Sequence, residues 1–146
     1  MNRKERGKKM KQDCIFCKIA NNEIPSATIF ENNEFKVMLD RFPAVSGHIL
    51  IIPKNHVENI FELEPDQAAR LFQLATHIAK VMKKELDFDG LNILQNNGKC
   101  AGQTVFHFHL HLIPRYEKDQ VTLKWKSSEP TEEELENIRK RLADAL

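Results

Sequence analysis

The chain has 146 residues, 41% hydrophobic and 29% charged, with a formal net charge of +1. That length and balance fit one domain with a real core, and they exclude a disordered polyelectrolyte or a chain drawn globally to nucleic acid or membrane. Three cysteines, two of them spaced C-x-x-C, do not make a disulfide framework and point instead to a reducing, cytoplasmic setting with a metal site.

In chain order, residues 1–12 carry Arg3, Lys4, Arg6, Lys8, Lys9 and Lys11 against Glu5 alone. They read as a basic, disordered arm with no aromatic residue to support nucleic-acid binding. No apolar run follows them as a signal peptide requires, and none is long enough to span a membrane. Asp13 can cap a short helix running to Ile19 or Ala20. Ala27 to Glu31 and Phe35 to Asp40 read as two strands turned at Asn32-Asn33, residues that tolerate a left-handed turn. His48 to Ile52 is nearly continuous in apolar residues, as a central strand should be, and Pro53 ends it.

Pro65 opens the strongest helix, with Ala68, Leu71, Phe72, Ala75, Ile78, Ala79, Met82 and Leu86 at helical spacing. Asp87 to Gly90 ends it. Leu91 to Gln95 reads as a strand, and Asn96 to Gly102 as a loop. Residues 117–130 form a polar connection carrying Val121, Leu123 and Trp125. Thr131 with Glu134 makes a capping-box pattern for a closing helix, with Leu135, Ile138, Leu142 and Leu146 as its apolar stripe and Arg and Lys placed late. Consecutive strands with short turns, then helices, give an α+β class with an antiparallel sheet.

The chemistry concentrates in residues 103–115, Gln-Thr-Val-Phe-His-Phe-His-Leu-His-Leu-Ile-Pro-Arg. Alternation is the strand period, so His107, His109 and His111 share one face, roughly 6.6 Å apart along the backbone, and Phe108, Leu110 and Leu112 share the other. Three readings of that face stand open: a catalytic metal held by all three rings, a pH-sensitive structural surface, or one nucleophilic imidazole with supporting neighbours. The loop before it, 98–104, offers backbone N–H groups with Gln103 and Thr104, a cradle suited to an anion. A phosphate held there would lie beside imidazoles able to attack phosphorus and to move protons.

His107-Phe108-His109-Leu110-His111-Leu112-Ile113 resembles the signature of the histidine triad (HIT) family. Phe16-Cys17-Lys18-Ile19, Glu23-Ile24-Pro25, Asp40, Gly47-His48 through Lys54, His56 and Gly102-Gln103-Thr104 fall in the family's order, so the resemblance spans residues 13–116. It implies a HIT-like fold of about five antiparallel strands with one long helix and a C-terminal helix, the sheet continued across a homodimer. Residues 117–146 become a C-terminal extension. It implies a hydrolase cleaving at the α-phosphate of a purine nucleotide, either a nucleoside phosphoramidate or a dinucleoside polyphosphate, without an organic cofactor. His109 becomes the nucleophile, His111 its phosphate-side partner and His107 an orienting group. Asn96, Gly102, Gln103 and Thr104 would hold phosphate, Asp40 the ribose hydroxyls, and Ile15, Phe16, Met38 and Arg41 would border the base. Members that begin with a similar C-x-x-C segment further imply structural Zn²⁺ on Cys14, Cys17, His56 and His107. His48 is expected to be a hydrogen-bonded structural histidine, and Cys100 a loop or dimer-contact thiol.

Overall fold

The computed structural model describes residues 11–146. All but the last two residues of the expected basic arm lie outside the described residues. The elements run α1 (Ile15–Ala20), β1 (Thr28–Glu31), β2 (Phe35–Leu39), β3 (Ile49–Pro53), α2 (Pro65–Leu86), β4 (Gly90–Leu94), β5 (Leu110–Arg115) and α3 (Glu132–Ala145). The strands form one five-stranded antiparallel sheet in the order β1-β2-β3-β5-β4. The expected α+β class is observed.

Strand periodicity sorts the core into two layers. On one face Phe35, Val37, Ile49, Ile51, Leu110 and Leu112 pack under Leu71, Ala75, Ile78 and Met82 of α2. On the other, Met38, Leu50 and Ile52 pack under Phe16, Ile19 and Ala20 of α1. Because α1 is short, it covers only part of its face. The histidines occupy the same side of the sheet beside it: His111, between Leu110 and Leu112, pairs with Leu50 of β3 and Leu94 of β4. The expected opposition of Phe108, Leu110 and Leu112 to the histidines holds, since all three lie in the α2-side core.

Several expectations need correction. The triad strand begins at Leu110, not at His107. The stretch ahead of it is held by other bonds, with Phe108 N–H donating to Val57 O at 2.7 Å. Cys14, not Asp13, caps α1, its sulfur accepting from Cys17 N–H at 3.4 Å. The β1–β2 connection needs no left-handed asparagine. Asn32 Oδ1 accepts from the N–H groups of Glu34 and Phe35 at 2.8 and 2.7 Å, closing the turn through a side chain. On α2, Phe72 and Leu86 lie outside the buried stripe. On α3 the capping box is present, but none of the helix is buried, and its basic residues stop short of the last turn.

Gly47 has a structural reason to be glycine. Its φ is +90°, and a Cβ there would sit 2.9 Å from Leu86 Cδ1 and 3.3 Å from Pro114 Cγ. The chain therefore turns tightly against the end of α2 and delivers His48 to the start of β3.

A buried lysine, invisible to pattern reading, locks α1 to the sheet. Lys36 lies on β2 with its Nζ donating to Ile19 O at 3.0 Å and to Asn22 Oδ1 at 2.6 Å. Burying that ammonium would be costly without partners. Here it bonds one carbonyl in the last turn of α1 and a side chain just beyond the helix, tying α1, and with it Phe16, to the sheet.

Candidate active site and metal centre

Each triad ring has a fixed partner, and the partners decide its tautomer. His107 Nε2 lies 2.8 Å from Pro53 O. A carbonyl can only accept, so Nε2 carries the proton and Nδ1 keeps its lone pair. His109 Nδ1 lies 2.7 Å from His107 O. By the same logic Nδ1 donates, and the lone pair of His109 is on Nε2. Ala44 N–H donates to His48 Nδ1 at 3.0 Å, which puts the His48 proton on Nε2. That N–H points at His111 Nδ1, 2.9 Å away, so His111 in turn holds its proton on Nε2.

The rings are also packed as a row. Phe16 meets His107 and His109 edge-on at 5.9 and 5.1 Å, and His109 meets His111 at 4.8 Å. Burial disfavours the imidazolium, lowering His109 and His48 and pushing His107 and His111 down to about 4. For His111 the neighbouring His109 and His48 add to the burial effect, and Asp40 opposes it. The site is thus a line of neutral imidazoles with assigned protons, a state suited to nucleophilic attack by His109 Nε2.

His107 faces away from this chemistry, toward the cysteines. Its Nδ1 is 3.4 Å from Cys14 Sγ and 3.5 Å from Cys17 Sγ, and His56 Nδ1 is 3.3 Å from Cys17 Sγ. All four donor atoms lie within 4.8 Å of one another. A tetrahedral zinc with bonds of about 2.0–2.3 Å has ligand–ligand edges of roughly 3.3–3.8 Å. The spacing and the Cys₂His₂ donor set therefore fit zinc, and the Pro53 bond supplies the correct His107 tautomer. Without a cation the buried Cys17 thiol is pushed up to about 11, first by burial. A bound metal would favour its thiolate. These four residues could hold a metal, as the sequence implied.

Asp40, His48 and His111 form a second close group. The Ala44 N–H argues against a metal there, because it holds the proton on the very nitrogen of His48 that would coordinate. Ala44 N–H, His48 and His111 form a hydrogen-bond relay, and Asp40 Oδ2 lies beside it, 3.6 Å from His48 Nε2 and beyond hydrogen-bond distance. Among the described residues no group unites His107, His109 and His111, so the reading of one metal on all three rings is overturned. Their outer partners turn His107 toward the cysteines, His109 Nδ1 to a carbonyl and His111 Nδ1 to His48.

The remaining expected residues divide. Gln103 does not offer its side chain to a ligand. It is buried, its Nε2 donates to Glu58 O and Val105 O at 2.6 and 3.1 Å, and its Oε1 accepts from Gly98 N–H at 2.7 Å. It shapes the 98–104 loop from within. Asn96 and Thr104 make no side-chain hydrogen bond among the described residues and are free to donate. Gly102, at φ +88°, turns close beneath Asn96. Asp40 Oδ1 accepts from Phe42 N–H at 2.9 Å, which fixes the turn that carries Arg41. Ile15 is half exposed, and Phe16 and Met38 are buried. Cys100 is exposed on the 3₁₀ turn at 99–101. His48 is buried and hydrogen-bonded as expected, but its place beside His111 gives it a part in the site that sequence reading missed. Its sequence signals were its position just after Gly47 at the head of an apolar strand and its place in the family's ordered motifs.

A HIT domain matches residues 21–118. The chain belongs to the HIT family. Its fold superposes on a HIT family protein from Bacillus anthracis with a TM-score of 0.86 at 44% identity, covering 92% of this chain and 98% of that one. It is 40% identical over 134 residues to adenosine 5′-monophosphoramidase HNT1 of Saccharomyces cerevisiae, 91% of this chain and 82% of the yeast protein. A Zn-bound histidine triad family protein from Mycobacterium smegmatis superposes with a TM-score of 0.71 at 34% identity, covering 92% and 98% of the two chains. HIT-fold neighbours thus share the five-stranded architecture, and the family includes hydrolases that act on nucleotides.

Proposed function

We propose that this HIT protein hydrolyses a purine nucleoside phosphoramidate at the α-phosphate, through a nucleotidyl-His109 intermediate. One observation carries the reading: the 2.7 Å bond from His109 Nδ1–H to His107 O leaves the His109 lone pair on Nε2, the arrangement an in-line nucleophile requires.

The phosphate would lie against the 98–104 loop, with donors from Asn96, Thr104 and the backbone around Gly102. His111 Nε2–H would donate to a phosphoryl oxygen, drawing off charge as the bond to His109 forms. The P–N bond then breaks and the amine departs with a proton drawn from solvent, which the attacking water of the next step gives back. Water next attacks phosphorus, the N–P bond to His109 breaks, and the nucleoside monophosphate leaves. The balance is one water consumed for one amine and one monophosphate. Asp40 would accept from the ribose hydroxyls with the carboxylate oxygen not held by Phe42. Ile15, Phe16 and Arg41 would border the purine. Zinc on Cys14, Cys17, His56 and His107 would be structural, since it would hold α1, and with it Phe16, against the reacting ring. The working form is a cytoplasmic homodimer on this reading.

The same site admits a phosphate chain as leaving group, so the decisive measurement is kinetic. Adenosine phosphoramidate should be cleaved with a higher kcat/KM than diadenosine polyphosphates. His109→Asn should lose more than about 10³-fold in turnover yet still bind adenosine monophosphate. Full activity in that variant would sink the mechanism. Nucleotide binding by the wild type without turnover on either substrate class would make the chain a sensor.

A further inference from the structure

The 98–104 loop is fastened at both ends to a single turn, residues 58–62. At its far end Gln103 Nε2 donates to Glu58 O at 2.6 Å. At its near end Asn97 Oδ1 accepts from Ile60 N–H at 2.8 Å, and Asn97 Nδ2 donates to Gln95 Oε1 at 2.5 Å. The turn is closed on itself, with Glu58 N–H donating to Glu62 Oε2 and Phe61 N–H to Asn59 Oδ1, each at 3.0 Å. One residue before the turn, Val57 O accepts from Phe108 N–H at 2.7 Å, between His107 and His109. One turn therefore holds the loop and the backbone beside the nucleophile in a common frame.

The composition of the loop explains why it needs fastening. Gly98 and Gly102 sit at φ +87° and +88°, and glycine loses more conformational freedom on ordering than any other residue. An unfastened loop would lose that freedom on meeting a ligand, at the expense of affinity; a fastened one has lost it on folding. Asn96 stands where this matters, its Nδ2 3.7 Å from the place a Cβ on Gly102 would take. Fixing the Asn97 amide on Ile60 fixes the backbone that carries Asn96 on one side and Gly98 on the other. Both halves of that amide are engaged by protein groups, so its part in the site is to hold and not to touch.

We infer that Asn97 is a positioning residue for the phosphate cradle, keeping Asn96 and the 98–104 loop in register for one phosphate group. The inference rests on the reading of this loop as the phosphate site and adds to it a clasp to the 58–62 turn.

The test compares adenosine monophosphate with adenosine, by calorimetry on the full-length wild type and Asn97→Leu. Leucine keeps the bulk of the side chain and removes both hydrogen bonds. The monophosphate should bind about tenfold more weakly to the variant, and adenosine within about twofold of the wild type. A site that had merely loosened would weaken both. A second measurement uses the wild-type chain and decides alone if the variant does not fold. Because coupling is reciprocal, a clasp that favours phosphate is itself favoured by phosphate. Hydrogen exchange at the Ile60 amide should therefore slow when the monophosphate is added and not when adenosine is added. Equal losses for the two ligands in Asn97→Leu, no loss for either, or an Ile60 amide indifferent to the monophosphate would overturn the inference and leave the phosphate site standing. Wild-type protein that binds the monophosphate no tighter than adenosine would remove the cradle itself, and the role of Asn97 with it.

Discussion

His48 Nε2 lies 2.9 Å from His111 Nδ1, and a backbone N–H from Ala44 on the far side of the His48 ring decides which of the two carries the proton. A fourth histidine thereby sets the tautomer of the third member of the triad. Replacing His48 with Phe keeps the ring's bulk but removes the N–H. We expect kcat on adenosine phosphoramidate to fall about 10- to 100-fold, the usual cost of losing a group that orients a working imidazole, with KM little changed. His48→Gln, which can present an N–H, should recover part of the loss. Equal activity in the Phe variant and the wild type would show that the tautomer is not fixed by this contact.

The metal centre is tested by stoichiometry and melting. Protein purified without added chelator should carry about one zinc per chain. Cys17→Ser, which removes a ligand only 1% exposed, should abolish that zinc and lower Tm by at least about 5 °C, because metal binding to a site absent from the unfolded chain is folding free energy. Triple substitution of the opposite set, Asp40, His48 and His111 to Ala, should leave the zinc in place. Metal that survives Cys17→Ser but not the triple substitution would move the site to the relay.

Stability should fall as the pH drops from about 7 toward 4. His111 is pushed down to about 4 and His48 is lowered, in each case mainly by burial, so below the ordinary imidazole range of about 6.5 the unfolded chain takes up protons that the folded chain refuses. That contribution is fully present above about pH 6.5 and is lost as pH falls through the window. Urea titrations at pH 7.5 and 5 should show a smaller loss in His48→Gln than in the wild type. An identical pH slope in both would remove these rings as its source.

Lys36 offers a test of how α1 is held. Lys36→Met keeps the length of the side chain but removes the donor of Asn22 Oδ1 and leaves Ile19 O with the Asn22 N–H alone. The expected loss is about 1 kcal/mol, that of the two hydrogen bonds the ammonium makes less the cost of its burial, read as a lower urea midpoint. KM for the nucleotide should rise as well, because α1 carries Ile15 and Phe16. A stability loss without any change in KM would mean that α1 keeps its place over His109 by other contacts.

Local pattern carried a large part of this molecule. Alternating residues gave the two faces of β5, helical spacing gave α2, and the Pro65 start and Thr131–Glu134 box gave two helix beginnings, because each depends on neighbours within a few residues. The ordered motifs gave the family, and the C-x-x-C spacing named half of the ligand set. What misled was equally local in origin. Asn32 suggested a left-handed turn, whereas its side chain closes the turn instead. Gln103 looked like a free donor because one of its acceptors, Glu58 O, is 45 residues away in sequence.

The sequence by itself determined which residues could do the chemistry: three imidazoles at alternate positions, two thiols at C-x-x-C spacing, and a loop able to cradle phosphate. Only the tertiary structure decided how that chemistry is divided, since an imidazole's proton goes wherever the partner of its other nitrogen directs it. Those partners are Pro53 O for His107, a carbonyl two residues back for His109, and His48, 63 residues away, for His111. None of these contacts leaves a periodicity in the sequence, and together they separate a metal ligand, a nucleophile and a proton-bearing neighbour that the one-dimensional pattern shows as three equal histidines.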